Sequence, residues 1–368
     1  MMVFPSDARN FTEYGYGPLP DALSAVVREE INGAFTLDML YPFDGFNGDK
    51  LQPGNIIFCK ARPSDTRGEP FRIYETIDGI NRTVQVRANH ISYDANYEVF
   101  YGQLNTTVTG IRNACDALNN YRWGNGFIRV WFDGIDEADP TTFDIGSVKM
   151  LSEALSGKGS LLEAFGGQYR YEYRSDLDRE VVYLCARRGV DREISISYAY
   201  NMTDFSRDRN NATQVSTIVA YVERDNNGVT ERAYETFALD PSAPIVRRML
   251  INVSSMVAWG ATRAQIEAAV AEILQGADVT KLMSAFAARI VPSIQFGIDD
   301  TKLDLGDTVK ILFAELNVNV RLMICKAAYT VLTDHYDSVD LGDQQTDVAD
   351  TIAKLEEDSW YSGKVRYV

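Results

Sequence analysis

The stretch from Ser160 to Thr203 narrows the folds open to this chain more than any other. Ser160, followed three residues on by Glu163, forms a capping box in which each side chain can serve a free amide at a helix start. Gly166-Gly167 ends that helix, because glycine enters the left-handed region without a Cβ penalty. Three segments follow: Gln168 to Arg174, Glu180 to Arg187 and Glu193 to Tyr200. Their residues alternate in size and polarity, as half-buried antiparallel strands require. They carry no nucleophile, phosphate loop or metal cluster, so the centre of the chain reads as architecture.

The same pattern recurs on both sides. Leu23 to Ile31 and Phe35 to Tyr41 flank Asn32-Gly33, the strongest short-range hairpin signal. In the second arm Phe35, Leu37, Met39 and Tyr41 share one face. Further strands are expected at Ile56 to Ala61, Phe71 to Ile77 and Thr83 to Ala88, which together predict a small β-barrel or sandwich. From Tyr101 the pattern is mixed, with helices over Gly110 to Asn119 and Ser147 to Leu155 around a strand at Phe127 to Phe132. Beyond the central stretch, Asn201 to Asn211 is expected to be a solvated loop, and Thr213 to Arg224 with Val229 to Leu239 a hairpin about Asn226-Asn227-Gly228. Thr262 with Gln265 caps a helix striped by Ile266, Ala269, Val270, Ile273 and Leu274. A second helix is predicted from Thr280 to Pro292, with Leu282, Ala285, Phe286 and Ile290 on one side. The last β-run, Ser293 to Leu341, contains Leu303 to Val309 leading into a strand, a long strand at Val318 to Thr333 and a short one at Tyr336 to Leu341. A short polar helix and tail are expected after it. The fold class is mainly β with α+β parts, in several domains. The expected boundaries are 1–100 for a first tube-like β domain and 101–167 for a mixed domain. A second tube-like domain takes 168–240 and 293–343, with a helical insertion at 241–292 and a tail at 344–368.

Composition sets limits on function. With 368 residues, 45% of them hydrophobic and 11% aromatic, the chain can bury several cores. A net charge of −16 argues against gripping nucleic acid, whose phosphates it would repel. Cys59, Cys115, Cys185 and Cys325 are far apart and there are two histidines, so neither disulfides nor a structural zinc site is expected. No signal peptide is read at the start, and no run of about 18 apolar residues predicts a membrane span.

Each candidate site has a plainer explanation. His90, at a strand exit beside Tyr93 and Asp94, is expected to be a hydrogen-bonded packing residue, and His335 lies in a turn with no His or Cys near it. Glu29 and Glu30 are adjacent on a strand and point to opposite faces, so they cannot form a catalytic carboxylate pair. Ser156-Gly157-Lys158-Gly159 lacks the phosphate-loop spacing, since Ser152 stands where the first glycine belongs. Asp204, Ser206 and Asp208 have calcium-loop spacing, but Arg209 and Val215 occupy the positions that need Gly and Glu. Trp123, Trp131, Trp259 and Trp360 could stack on sugars, although burial in sheets is the commoner use. No catalytic, cofactor-binding or metal residue is expected.

A resemblance adds to this reading. The sequence around Phe165-Gly166-Gly167-Gln168, the Arg187-Arg188-Gly189 turn and the strand leading to Asn201-Met202-Thr203 is similar to the hub proteins at the tail tip of phages. More narrowly, it resembles the prophage tail endopeptidase, or tail-associated lysin, family. Glu29-Glu30-Ile31-Asn32-Gly33, Phe71 to Glu75, Ala88 to Asp94 and Leu305-Gly306-Asp307-Thr308-Val309 extend the resemblance over nearly the whole chain. It implies a homotrimer in which each subunit contributes two like β-domains, so that three chains make a ring of near six-fold symmetry under the tail tube. Its implied partners are the hexameric distal tail or tail-tube ring protein, the tape-measure protein and receptor-binding or lytic tip proteins. Genome DNA would pass through without specific binding, along a carboxylate-lined wall. The virion tail tip, assembled in the bacterial host cytoplasm, is the implied location. Two rival functions are a peptidoglycan endopeptidase, whose lytic domain would follow the hub and has no place before Val368, and a receptor- or carbohydrate-binding module.

Overall fold

The hairpin about Asn32 shows how local sequence sets the architecture. Strands Ser24–Glu30 and Phe35–Pro42 pair with Val27 opposite Leu37 and Glu29 opposite Phe35, and Asn32 takes a left-handed φ of 54°. Phe35, Leu37, Met39 and Tyr41 are all buried, alternating with half-buried Thr36, Asp38 and Leu40. The computed structural model describes residues 1–100, 107–120, 122–123, 126–147, 150–197, 202–210, 216–226, 229–239, 246, 248–273, 283–290, 303–313, 318–342 and 365–367.

The chain divides into two compact units, one of residues 1–206 with 287–343 and one of residues 207–286 with 344–368. In the first unit the hairpin sits inside a thirteen-stranded sheet. On one side Phe35–Pro42 pairs with Thr83–His90, which pairs with Glu69–Gly79, and the order continues through Ile56–Cys59 and Met2–Phe4 to Gly17–Pro18. On the other side Ser24–Glu30 pairs antiparallel with the second half of Val318–Thr330, Thr330 lying opposite Val26 and Lys326 opposite Glu30. The first half of that long strand pairs with Thr308–Phe313, which Asp191–Ser197 joins in parallel. Its other edge pairs with His335–Gly342. The order continues through Met283–Ile290 to Met202–Asn210.

Both of these outer strands depart from the sequence reading. Met283–Ile290 is a strand where a helix was expected, and Met202–Asn210 is a strand where a loop was expected. Met-Ser-Ala-Phe-Ala-Ala-Arg-Ile satisfies a period of two as well as one of 3.6, and a short apolar run cannot choose between them without its neighbour. Here the neighbour is His335–Gly342.

A smaller layer within the first unit holds a three-stranded sheet, in which Ile128–Asp133 runs parallel and Gln168–Arg174 antiparallel to Arg179–Cys185. Helix Ile111–Asn120 packs there through Ile111, Ala114, Cys115 and Leu118, the i, i+3, i+4, i+7 stripe of a one-sided helix. Short helices Leu151–Leu155 and Leu161–Phe165 add Leu151, Ala154, Leu155 and Leu161 to the same core. The capping box at Ser160 forms by half: its hydroxyl accepts from the Glu163 amide at 3.2 Å, while the Glu163 carboxylate takes the Gly159 amide instead of that of Ser160.

The second unit is built on Thr217–Asn226, antiparallel to Val229–Ala238 and parallel to Arg248–Asn252. Helix Arg263–Ile273 covers it with Ile266, Ala269 and Val270 against Ile218, Phe237, Met249 and Ile251. The expected capping box also forms by half: the Thr262 amide donates to Gln265 Oε1 at 2.9 Å, while the Thr262 hydroxyl donates to the same oxygen and the Gln265 amide bonds the Thr262 carbonyl. In the expected polar tail, Val365–Tyr367 is a strand paired with Arg248–Asn252. Asn227-Gly228, Leu274, Thr280, Leu282, Pro292 and Trp360 lie outside the described residues.

Candidate functional site

Strand alternation sends several charged residues inward. Along Ser24–Glu30 the buried positions are Ala25, Val27 and Glu29, and along Thr83–His90 they are Val84, Val86, Ala88 and His90. Glu69 opens the strand that continues through Phe71 and Ile73, and Glu180 lies in phase with Val182 and Leu184. Within the first unit these side chains meet Arg62 and Arg188 in one enclosed ionic cluster.

Glu29 is its centre. Its Oε1 accepts from Arg188 Nη1 at 2.6 Å and its Oε2 from Arg62 Nη1 at 3.1 Å. Arg62 also donates to Glu69 Oε1 at 3.3 Å and to the Tyr171 carbonyl at 3.2 Å. Asp304, closer to the surface, lies 3.6 Å from Arg188 and 3.8 Å from Arg62. Burial pushes the Glu29 carboxyl up, but Arg188 and then Arg62 outweigh it and hold the group at about 2. Glu30, one residue on, faces outward and pairs with Lys326 at 2.7 Å. The two carboxylates are on opposite faces, as the alternation requires.

His90 is fully enclosed. Its ring stacks on Phe35 with centroids 4.2 Å apart, Nδ1 meets Ser92 Oγ at 2.9 Å, and burial lowers its pKa to about 3. Its hydrogen-bond partner is Ser92, through the hydroxyl and through the backbone amide at 3.3 Å. Nε2 faces Glu69 Oε2 at 3.6 Å and Glu180 Oε1 at 3.8 Å. Burial raises the pKa of both glutamates well above the ordinary carboxylate range. Glu69 shares Arg62 with Glu29, so the arginine does not offset the cost of desolvating it.

Four of the motifs that carry the sequence resemblance converge around this cluster. Asn32 of the hairpin turn donates to the Gly167 carbonyl at 3.1 Å and accepts from the Tyr169 amide at 2.8 Å. Gln168 Oε1 accepts from the Arg188 amide at 2.9 Å. Gly189 and Gly306 then pack backbone to backbone, and a Cβ on Gly306, whose φ is +89°, would lie 2.8 Å from the Gly189 nitrogen. Asp307 closes the junction, accepting from the Val190 amide at 2.7 Å and from Arg192 Nε at 2.8 Å. The hairpin, the three-stranded layer and the strand Thr308–Phe313 are therefore joined by side-chain hydrogen bonds, those of Asp307 charge-assisted.

The other sequence candidates lie apart from it. His335 Nδ1 meets the Thr333 carbonyl at 3.2 Å in an exposed turn. Tryptophan burial is not what the sequence suggested: Trp123 is 69% exposed, and Trp259 is 36% exposed beneath the Arg224 guanidinium. Trp131 is half-buried between Arg112 and Arg129. Asp204, Ser206 and Asp208 fall on the strand Met202–Asn210, so the calcium-loop spacing has no loop to act in. A depression of about 280 Å³, lined by Arg28, Glu30, Thr36, Lys326, Ser338 and Asp340 among others, marks the joint between Ser24–Glu30 and Val318–Thr330. Cys59 and Cys115 are buried free thiols, pushed by burial up to about 12.

No family model matches the sequence, and no curated protein matches it. Solved structures do match over most of its length. Prophage tail protein gp18 from Listeria monocytogenes EGD-e is 16% identical with a TM-score of 0.52, over 92% of this chain and 94% of that one. The tail protein from Neisseria meningitidis MC58 is 10% identical with a TM-score of 0.54, over 88% and 93%. The 43 kDa tail protein of prophage MuSo2 from Shewanella oneidensis is 8% identical with a TM-score of 0.56, over 86% and 92%. The chain shares the fold of these three tail proteins.

Proposed function

We propose that this chain is a structural subunit of a phage or prophage tail, and that it acts at the tail tip as a hub. The observation that carries this reading is the fold shared with three tail proteins along 86% or more of the chain. The enclosed ionic cluster supports it from the physical side. A cluster whose glutamates and His90 are buried presents none of them to a substrate at the surface, but it can hold groups of strands at a fixed angle. His90, a natural candidate for a general base, is 0% exposed and out of reach of a peptide or glycan.

In finer terms, three copies form a ring, and each presents two like β-modules so that the ring meets a six-fold tube. The first module is the set of strands from Met2–Phe4 to Thr83–His90, and the second is built on Asp191–Ser197, Thr308–Phe313, Val318–Thr330 and His335–Gly342. Their joint within one chain is the antiparallel pairing of Ser24–Glu30 with Val318–Thr330. The hexameric tail-tube ring, the tape-measure protein and the lytic or receptor-binding tip proteins are the proposed neighbours, and the genome passes through the ring unread. Light scattering of the purified chain should give three times the chain mass, and immunogold labelling of virions should mark the tip. Label along the tail shaft, or a stable dimer, would refute the hub reading. A chain that releases peptides from purified peptidoglycan would refute the purely structural one.

A further inference from the structure

Glu69, His90 and Glu180 come from three strands, yet each offers one ligand atom to a single point, all within 4.8 Å of one another. His90 Nε2 lies 3.6 Å from Glu69 Oε2 and 3.8 Å from Glu180 Oε1. Among the described residues, Nε2 has no hydrogen-bond partner of normal geometry, and the Glu180 carboxylate has only the Glu172 backbone beside it, outside normal hydrogen-bond geometry. His90 and Glu180 are both 0% exposed, so water does not satisfy these atoms from the surface. A buried carboxylate left in that state is costly, and native structures rarely keep one without a reason.

We propose that Glu69, His90 and Glu180 form a structural site for one divalent transition-metal cation of the zinc type. One imidazole nitrogen with two carboxylate oxygens suits zinc or manganese, and the imidazole disfavours calcium or magnesium. Tetrahedral zinc with bonds of about 2.0–2.2 Å places its ligand atoms about 3.3–3.6 Å apart, so the two edges from His90 Nε2 match to within a few tenths of an ångström, and the edge between the glutamates, within 4.8 Å, closes by about 1.5 Å at most. The surrounding groups orient the ligands as metal sites require. His90 Nδ1 lies 2.9 Å from Ser92 Oγ and 3.3 Å from the Ser92 amide; ligation through Nε2 takes the tautomer in which Nδ1–H donates to Ser92 Oγ, in place of the one in which Nδ1 accepts from the amide. Glu69 is held by the Tyr173 amide at 3.1 Å on Oε2 and by Arg62 on Oε1. The ion ties the strands Glu69–Gly79 and Thr83–His90 to Arg179–Cys185, joining the large sheet to the three-stranded layer.

An enclosed site takes up its ion as the chain folds. The full chain is therefore unfolded in denaturant with chelator, desalted, and refolded with or without Zn²⁺, and metal content is measured by mass spectrometry. One zinc per chain, retained through dialysis and lost in Glu180→Gln and in His90→Gln, is the expected result, with a melting temperature raised by zinc in the unsubstituted chain only. No retained zinc or manganese, or retention unchanged in both variants, would overturn the proposal. Should neither variant refold, Co²⁺ in the unsubstituted chain decides. A tetrahedral d–d band without thiolate charge transfer supports the triad, whereas thiolate charge transfer, or no bound cobalt, refutes it.

Discussion

Replacing Glu29 by Gln keeps the shape of the side chain and removes the charge that Arg62 and Arg188 share. Glu29 is 5% exposed, and its carboxyl sits at about 2 against an ordinary value of 4.5. That difference corresponds to about 3 kcal/mol of folding stability at neutral pH. Breaking a buried ion pair by removing one partner costs about 3–5 kcal/mol, so two routes give similar magnitudes. Because the folded pKa is depressed, this stabilisation is present above 4.5, declines as the pH falls through that value and is gone below about 2. By pH 3 about 2 kcal/mol of it has been lost. Urea unfolding of both chains, followed by hydrogen-exchange mass spectrometry on peptides of residues 1–206, keeps the two units separate, since they need not unfold together. Taking the difference between the two chains cancels the other titrating groups. The expected gap is about 3 kcal/mol or more at pH 7, narrowing by about 2 at pH 3. A gap below about 1 kcal/mol at pH 7, or one that does not change with pH, would show that Glu29 is not the ionised centre of the cluster.

Three further outcomes follow from the junction and the cores. Gly306→Ala places a Cβ at a φ of +89° and against the Gly189 nitrogen, so it should lower the melting temperature sharply, and Gly189→Ala, which drives a Cβ into the Gly306 backbone, should abolish soluble yield. Asn32→Ala leaves the Gly167 carbonyl and the Tyr169 amide without their partner, a loss of about 1–3 kcal/mol by urea unfolding, whereas full stability would mean that the turn and the strand are not coupled there. Cys59 and Cys115, buried and with thiols raised to about 12, should resist iodoacetamide at pH 8 in the native chain and react in urea, and mass spectrometry of the labelled peptides reads both states.

What the sequence determined by itself was set by neighbours along the chain. Asn32-Gly33 demands a tight turn, Phe35 to Tyr41 alternates cleanly, Ile111 to Leu118 repeats at helical spacing, and Thr262 with Gln265 caps a helix; each signal lies within about ten residues and each is realised. Even the opposed directions of Glu29 and Glu30 follow from the pleat. Tertiary structure decided what local periodicity leaves degenerate. Met283–Ile290 satisfies two periods, and pairing within the sheet made it a strand. The ionic cluster was the least legible feature, although one signal was present: Glu29, His90 and Glu180 stand at inward positions of strands otherwise filled by Val, Ala and Leu. A charge at such a position announces that a partner is needed without naming it. Arg188 is 159 residues from Glu29, and strand pairing and chain crossing bring it within 2.6 Å. Local sequence sets each strand's inward face at the cost of a few dihedral angles, whereas the opposing charge is chosen only when all the strands have packed and water has been excluded.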